Sequence, residues 1–184
     1  MLNPLHTFFV LFAAFTAIFV QTTFNGLRGV LGAQVDLLPS LMVYTSLSCG
    51  MPTVAGLAIG GGLLLDSQSA NPQGISILPL FAIGFLIQKY RGLILREQRV
   101  AQLVLGFSSS AFAPLVTVLL LLNTDKQPLI SWFSLWQWLL MTGLGGLACP
   151  LWFWFFDKLN LALSYKALNE TSFRPDRQIK RGRS

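Results

Sequence analysis

Residues 35–74 read VDLLPSLMVYTSLSCGMPTVAGLAIGGGLLLDSQSANPQG, and their reading decides the fold. Two short apolar segments, 37–48 and 53–65, are joined by Cys49-Gly50-Met51-Pro52. Pro52 lacks an N–H and its ring meets the carbonyl four residues back, which argues against one straight helix through both segments. The alternatives are a tight helical hairpin or a strongly kinked unit. Each segment is too short to cross a bilayer upright unless the bilayer thins or neighbouring helices shelter it. The second segment is rich in glycine and stops at Asp66. A polar turn follows and closes on Asn71-Pro72-Gln73-Gly74.

Outward from this stretch the chain is longer-paced and more apolar. Residues 5–24 carry no charge and are thickened by phenylalanine. A helix needs roughly 20 such residues to cross the hydrocarbon. Residues 25–34 form a glycine-rich connector with one cation, Arg28. Residues 75–87 resume the apolar pattern and end at Lys89-Tyr90-Arg91. Residues 100–122 make another span with Pro114 inside it, tolerable where neighbours satisfy the freed carbonyl. The last span, 132–156, has tryptophans at both ends and Gly143-Leu144-Gly145-Gly146-Leu147-Ala148 midway. That pattern suits a helix anchored at both interfaces and closely packed at its centre.

Composition agrees. Charged residues are 11% of the 184 and apolar ones 53%, whereas soluble domains carry roughly 25% charge. A chain so poor in charge cannot cover its surface with polar groups, so lipid is its solvent. The net charge of +6 therefore bears on topology and anionic headgroups, and no nucleic-acid partner is expected. The first span is read as retained: no Lys or Arg precedes it, and Leu31-Gly32-Ala33 is a poor cleavage site.

Orientation follows from the cations. Seven of the thirteen Lys and Arg lie after Phe156, and Lys89, Arg91, Arg96 and Arg99 share one loop. Both groups go to the cytoplasmic side under the positive-inside rule. The expected fold is thus all-α and polytopic, about six transmembrane helices including the two short glycine- and proline-containing segments, with N- and C-termini inside. Residues 1–156 form the membrane domain. Residues 157–184 form a cytoplasmic basic tail holding Arg174, Arg177, Lys180, Arg181 and Arg183. Its first part allows a surface helix, and its end from Thr171 onward is expected to be disordered.

Catalytic candidates are few. His6 is the sole histidine, at the start of the first span, and reads as an interfacial or capping residue. Cys49 and Cys149 read as small buried hydrophobes without metal or redox spacing. No nucleophile–base pair, close carboxylate pair, phosphate-binding loop or dinucleotide fingerprint stands out, so no enzyme activity, metal or cofactor is expected. The remaining candidates are structural. Gly56 and Gly60 stand four apart, as do Ala58 and Gly62, the spacing that lets helix backbones approach. With Gly143 and Gly146 they are assigned to helix packing, mostly internal, or to a partner contact. Asp66 is either an interfacial aspartate that ends its helix, or a clamp whose carboxylate accepts turn N–H groups or meets Arg28. Asp36 is placed as an N-terminal cap or dipole partner. Tyr44 is expected to pack in the interior.

The central stretch resembles the MreD family of bacterial rod shape-determining membrane proteins. The resemblance rests on Val35-Asp36-Leu37-Leu38-Pro39, Val43-Tyr44, Gly50-Met51-Pro52, Gly56 to Gly60, Leu64-Leu65-Asp66 and Gly74, and is best over residues 36–91. Pro39 is displaced from the family's usual order, and the turn after Asp66 is longer. The resemblance implies a multi-pass protein of the bacterial cytoplasmic (inner) membrane. It would be a non-enzymatic scaffold of cell-wall elongation and rod shape that binds the single-span protein MreC. Through MreC it would serve MreB, RodA and a penicillin-binding transpeptidase. The rival expectation is a small-molecule-binding subunit of an energy-coupling uptake transporter, of the S-component type. Asn25, Arg28, Asp66, Gln68, Asn71 and Gln73 would then offer polar groups on the outer side.

Overall fold

A computed structural model describes residues 4–23, 36–69, 72–94, 98–123 and 132–171. Among the described residues six helices follow in order: α1 (Pro4–Thr23), α2 (Leu38–Ser48), α3 (Met51–Ser67), α4 (Ile77–Tyr90), α5 (Arg99–Leu122) and α6 (Trp132–Thr171). Among the described residues there is no strand. Three stretches are long and apolar enough to cross a membrane: Leu5–Thr23, Arg99–Leu122 and Trp132–Ala162. These mark the chain as a membrane protein. α3 and α4 are apolar but shorter.

The break in residues 35–74 is resolved as two separate helices. Cys49 and Gly50 are both extended, and the chain reverses through them. Pro39 and Pro52 sit in the first turns of α2 and α3, where a missing N–H leaves no helical bond unmade. Neither proline interrupts a helix.

The short helix α2 is the hub. It lies against α1, α3, α4 and α5, and every residue from Leu38 to Leu47 is buried. At 11 residues it spans about 16 Å, half a bilayer. Its hydroxyls survive burial because they turn back onto the helix. Ser40 Oγ donates to Leu37 O at 2.7 Å, Thr45 Oγ1 to Leu41 O at 2.8 Å and Ser46 Oγ to Met42 O at 2.7 Å. An unsatisfied hydroxyl there would cost a few kcal/mol, roughly 1–3.

α1 is built inside out. Val10, Ala13, Ala14, Ala17 and Ile18 are buried, while Phe8, Phe12, Phe15 and Phe19 are exposed along the opposite stripe. Small residues inward and large ones outward suit close packing in lipid, which solvates the rings at no cost. Thr7 Oγ1 meets Thr53 Oγ1 at 3.1 Å, so the starts of α1 and α3 lie side by side.

Close glycine approaches set the remaining directions. A Cβ at Gly62 would lie 2.9 Å from the backbone of Ile77, and one at Gly84 would lie 2.5 Å from Val54 Cγ1 and 3.1 Å from Met42 Sδ. α3 and α4 are therefore antiparallel. α5 and α6 are antiparallel too: Ser110 faces Gly145, and Gly106 faces Gly146 and Cys149. Pro150 removes the helical partner of the Gly146 carbonyl. That oxygen faces Gly106, 3.0 Å from where a Cβ would be. Near Pro114 of α5, the Trp138 indole N–H donates to Ala111 O at 3.1 Å.

By packing, the chain divides between Trp152 and Phe153, within α6. In the second unit the helix continues unbroken to Thr171. Phe155 and Phe156 meet edge to face with centroids 5.4 Å apart, and the Lys158 ammonium lies 4.4 Å from the Trp154 ring centroid. The expected disordered end, with Arg174, Arg177, Lys180, Arg181 and Arg183, lies outside the described residues apart from Thr171 itself, which ends α6.

Candidate functional site

The candidate site is the hairpin α2–α3 with the turn that leads into α4. Asp66 is in the last turn of α3 and is 1% exposed. Its Oδ2 accepts the Gly74 N–H at 2.8 Å and the Ser76 N–H at 3.1 Å, and its Oδ1 accepts the Ser76 hydroxyl. One carboxylate thus satisfies three donors of the turn, which is how a charge can be buried at a helix end. Gly74 has φ +94°, a left-handed conformation that an L side chain strains to adopt. Its N–H reaches Asp66 from that conformation. Arg28, weighed as a partner for Asp66, lies outside the described residues.

Asp36 stands one residue before the N-cap of α2, which is Leu37. Its Oδ1 accepts the Leu38 N–H at 3.0 Å. The capping bond is therefore made from outside the N-cap position. The carbonyl of Asp36 faces Gly145, 3.5 Å from where a Cβ would be, and Ser110 Oγ crowds the same point. Ser110 and Gly145 are both interior to long apolar helices, so α2 begins deep within the bundle. Ser110 Oγ is buried there without a hydrogen-bond partner.

The five glycines assigned to packing separate into two groups. Gly62 meets Ile77, and Gly146 meets the ring of Phe107, where a Cβ would lie 2.6 Å from Cγ. Gly56, Gly60 and Gly143 have no group within 4 Å of a Cβ position. For these three no internal packing contact is seen among the described residues: α3 turns Gly61 and Gly62 inward, so Gly56 and Gly60 fall on its outer side. Exposed Ile59 and Leu63 lie on that side. Lys89 and Arg91 are exposed at the end of α4, and Arg99 is exposed at the start of α5. Arg96 lies outside the described residues.

Tyr44 is completely buried, and its hydroxyl lies 3.1 Å from His6 Nε2. His6 Nδ1 in turn lies 3.3 Å from Cys49 Sγ. Cys49 is buried, as expected, but reading His6 as an interfacial or capping residue did not anticipate this contact. The residues are 43 and 38 positions apart, and no local spacing announces them. Gln88 Nε2 donates to the Cys49 carbonyl at 3.3 Å and ties the end of α4 to the same corner.

Among the described residues no group of three His, Cys, Asp or Glu could hold a metal. An open groove of about 390 Å³ lies between α5 and α6, lined chiefly by Pro114, Leu115, Val118, Leu135, Trp138 and Met141. Comparison with protein-family models, curated proteins and solved structures returns no match.

Proposed function

We propose that the chain is a non-enzymatic membrane scaffold of the bacterial cell-wall elongation complex, MreD-like in role, that docks a single-span MreC-like protein and supports rod shape. The observation that carries this reading is the outer edge of α3. Gly56 and Gly60 are one turn apart, face no group among the described residues, and are flanked by exposed Ile59 and Leu63. In lipid, helices associate through such small-residue edges because backbones can approach closely there. The reading places all six helices in the cytoplasmic membrane, with both termini and the basic loop of Lys89, Arg91, Arg96 and Arg99 inside. MreB, RodA and the transpeptidase would be reached indirectly.

Co-purification in detergent of the tagged chain with an MreC-like single-span protein tests the proposal. Gly60→Leu is expected to abolish co-purification while the thermal midpoint of the isolated chain is kept. Unchanged recovery of the partner would remove the α3 edge as its seat. Failure of the wild type to recover it would sink the scaffold reading.

A further inference from the structure

At the entry to α2 we propose a binding site for a small monovalent cation of sodium size. The Asp36 carboxylate, the Asp36 carbonyl and the Ser110 hydroxyl would hold it between α2, α5 and α6. The inference does not depend on the scaffold reading.

Two oxygens converge beside Gly145. Ser110 Oγ lies against the point where a Cβ of Gly145 would be, and the Asp36 carbonyl oxygen is 3.5 Å from the same point. A side chain at 145 would fill this space, and glycine leaves it to the oxygens. Ser110 is 2% exposed, and its Oγ has no hydrogen-bond partner among the described residues. A serine inside a helix can give its proton to a carbonyl of the preceding turn. Ser108 and Ser109 do so, onto Val104 O at 2.7 Å and Gly106 O at 3.0 Å. Ser110 departs from both neighbours, and a buried hydroxyl left unmet is unfavourable.

A carboxylate stands at the same place. Asp36 Oδ1 accepts the Leu38 N–H at 3.0 Å, and Oδ2 accepts no hydrogen bond among the described residues. Asp36 is only half-buried, which leaves an approach to it. The depth is that of the hydrocarbon: Ser110 is midway along the 24-residue α5, and Gly145 is near the middle of the apolar stretch Trp132–Ala162. A carboxylate there requires a neutralising partner, a proton or a cation.

The oxygen set decides between them. A proton on Asp36 neutralises the carboxylate but satisfies neither its carbonyl nor Ser110. A bridging water satisfies those two and leaves the charge. A cation draws on all three oxygens at once. Carboxylate, carbonyl and hydroxyl are hard ligands, suited to a hard ion. One carboxylate balances one positive charge, and the N-terminus of α2 adds positive potential, so a divalent ion is disfavoured. The close approach of Ser110 to Gly145 favours a small ion over a large one. Bound there, the ion would tie the start of α2 to both long helices.

The test is the thermal midpoint of the full chain in detergent, with sodium chloride replacing choline chloride at constant ionic strength. The wild-type midpoint should rise by about 3–5 °C for each tenfold of sodium above half-saturation. Potassium should give a smaller rise. Equilibrium dialysis with radiolabelled sodium should find one ion per chain. Asp36→Asn keeps the capping acceptor and should melt near wild type in choline chloride, but lose the sodium shift. Ser110→Ala removes the unmet hydroxyl. It should melt at or above wild type in choline chloride and lose most of the sodium shift. A wild-type midpoint indifferent to sodium would overturn the proposal, leaving a proton on Asp36 or a water at Ser110. So would an equal rise with potassium, or a full sodium shift in either folded variant. The wild-type salt series and the dialysis need no variant, so misfolding of one leaves the test decisive.

Discussion

Asp66 and Gly74 are eight residues apart in the chain and 2.8 Å apart in space, joined by the Gly74 N–H and the Asp66 carboxylate. The same carboxylate holds both donors of Ser76. The buried end of α3 and the entry to α4 are thus organised by one side chain.

Removing that side chain should be severe. Asp66→Ala leaves the Gly74 and Ser76 donors unmet in a buried turn, a loss of about 3 kcal/mol. Asp66→Asn keeps one acceptor oxygen and should lose less. Thermal unfolding in detergent measures both, and an Asp66→Ala midpoint equal to wild type would refute the clamp. Gly74→Ala should lower the midpoint through backbone strain alone, by about 1–2 kcal/mol.

The glycines of α3 should respond oppositely to the same change. At Gly62 a Cβ would meet the Ile77 backbone at 2.9 Å, and backbone cannot rotate away. Gly62→Ala should destabilise by about 1–3 kcal/mol. At Gly56 and Gly60 the Cβ position is open, so alanine should stabilise the isolated chain by up to about 1 kcal/mol through helix propensity. Equal effects at Gly62 and Gly60 in a melting series would show that the register of α3 is otherwise.

In α6 the contrast is between Gly146 and Gly143. Gly146→Ala drives a methyl into the Phe107 ring, whereas Gly143→Ala meets nothing within 4 Å. Only the first should lower stability, by about 1–3 kcal/mol. Disulfide trapping between cysteines placed at 106 and 146 would report the same approach directly and should fail if the helices are apart.

Asp36 supplies one capping bond, to the Leu38 N–H at 3.0 Å. Asp36→Asn retains an acceptor and should stay near wild type. Asp36→Ala should cost about 1 kcal/mol. A melt in which Asn and Ala behave alike would assign the role of Asp36 to charge and not to the cap.

Which glycines pack internally could not be read from spacing. Gly56, Gly60 and Gly62 all satisfy a small-residue periodicity, and a helix touched on several sides offers no signal of which face turns inward. The decision lies with Leu38, which meets Gly61, and Ile77, which meets Gly62, both from other elements. The same limit hid the contact of His6 with Cys49: side chains 43 residues apart leave no local pattern.

Sequence by itself determined what local chemistry can encode. Low charge and long apolar runs require helices in lipid, because no other element satisfies its own backbone there. Pro52 argues against one straight helix through residues 37–65, and the extended Cys49 and Gly50 of the structure resolve the break as two helices. Only the tertiary structure decided that α2, the shortest of the described helices, is the most deeply enclosed of them, and that Asp66 closes the turn into α4. Only it brought a histidine, a tyrosine and a cysteine from two helices and a turn to one point. Burial and long-range hydrogen bonds depend on which faces meet, and that is a property of the whole packing, not of any one segment.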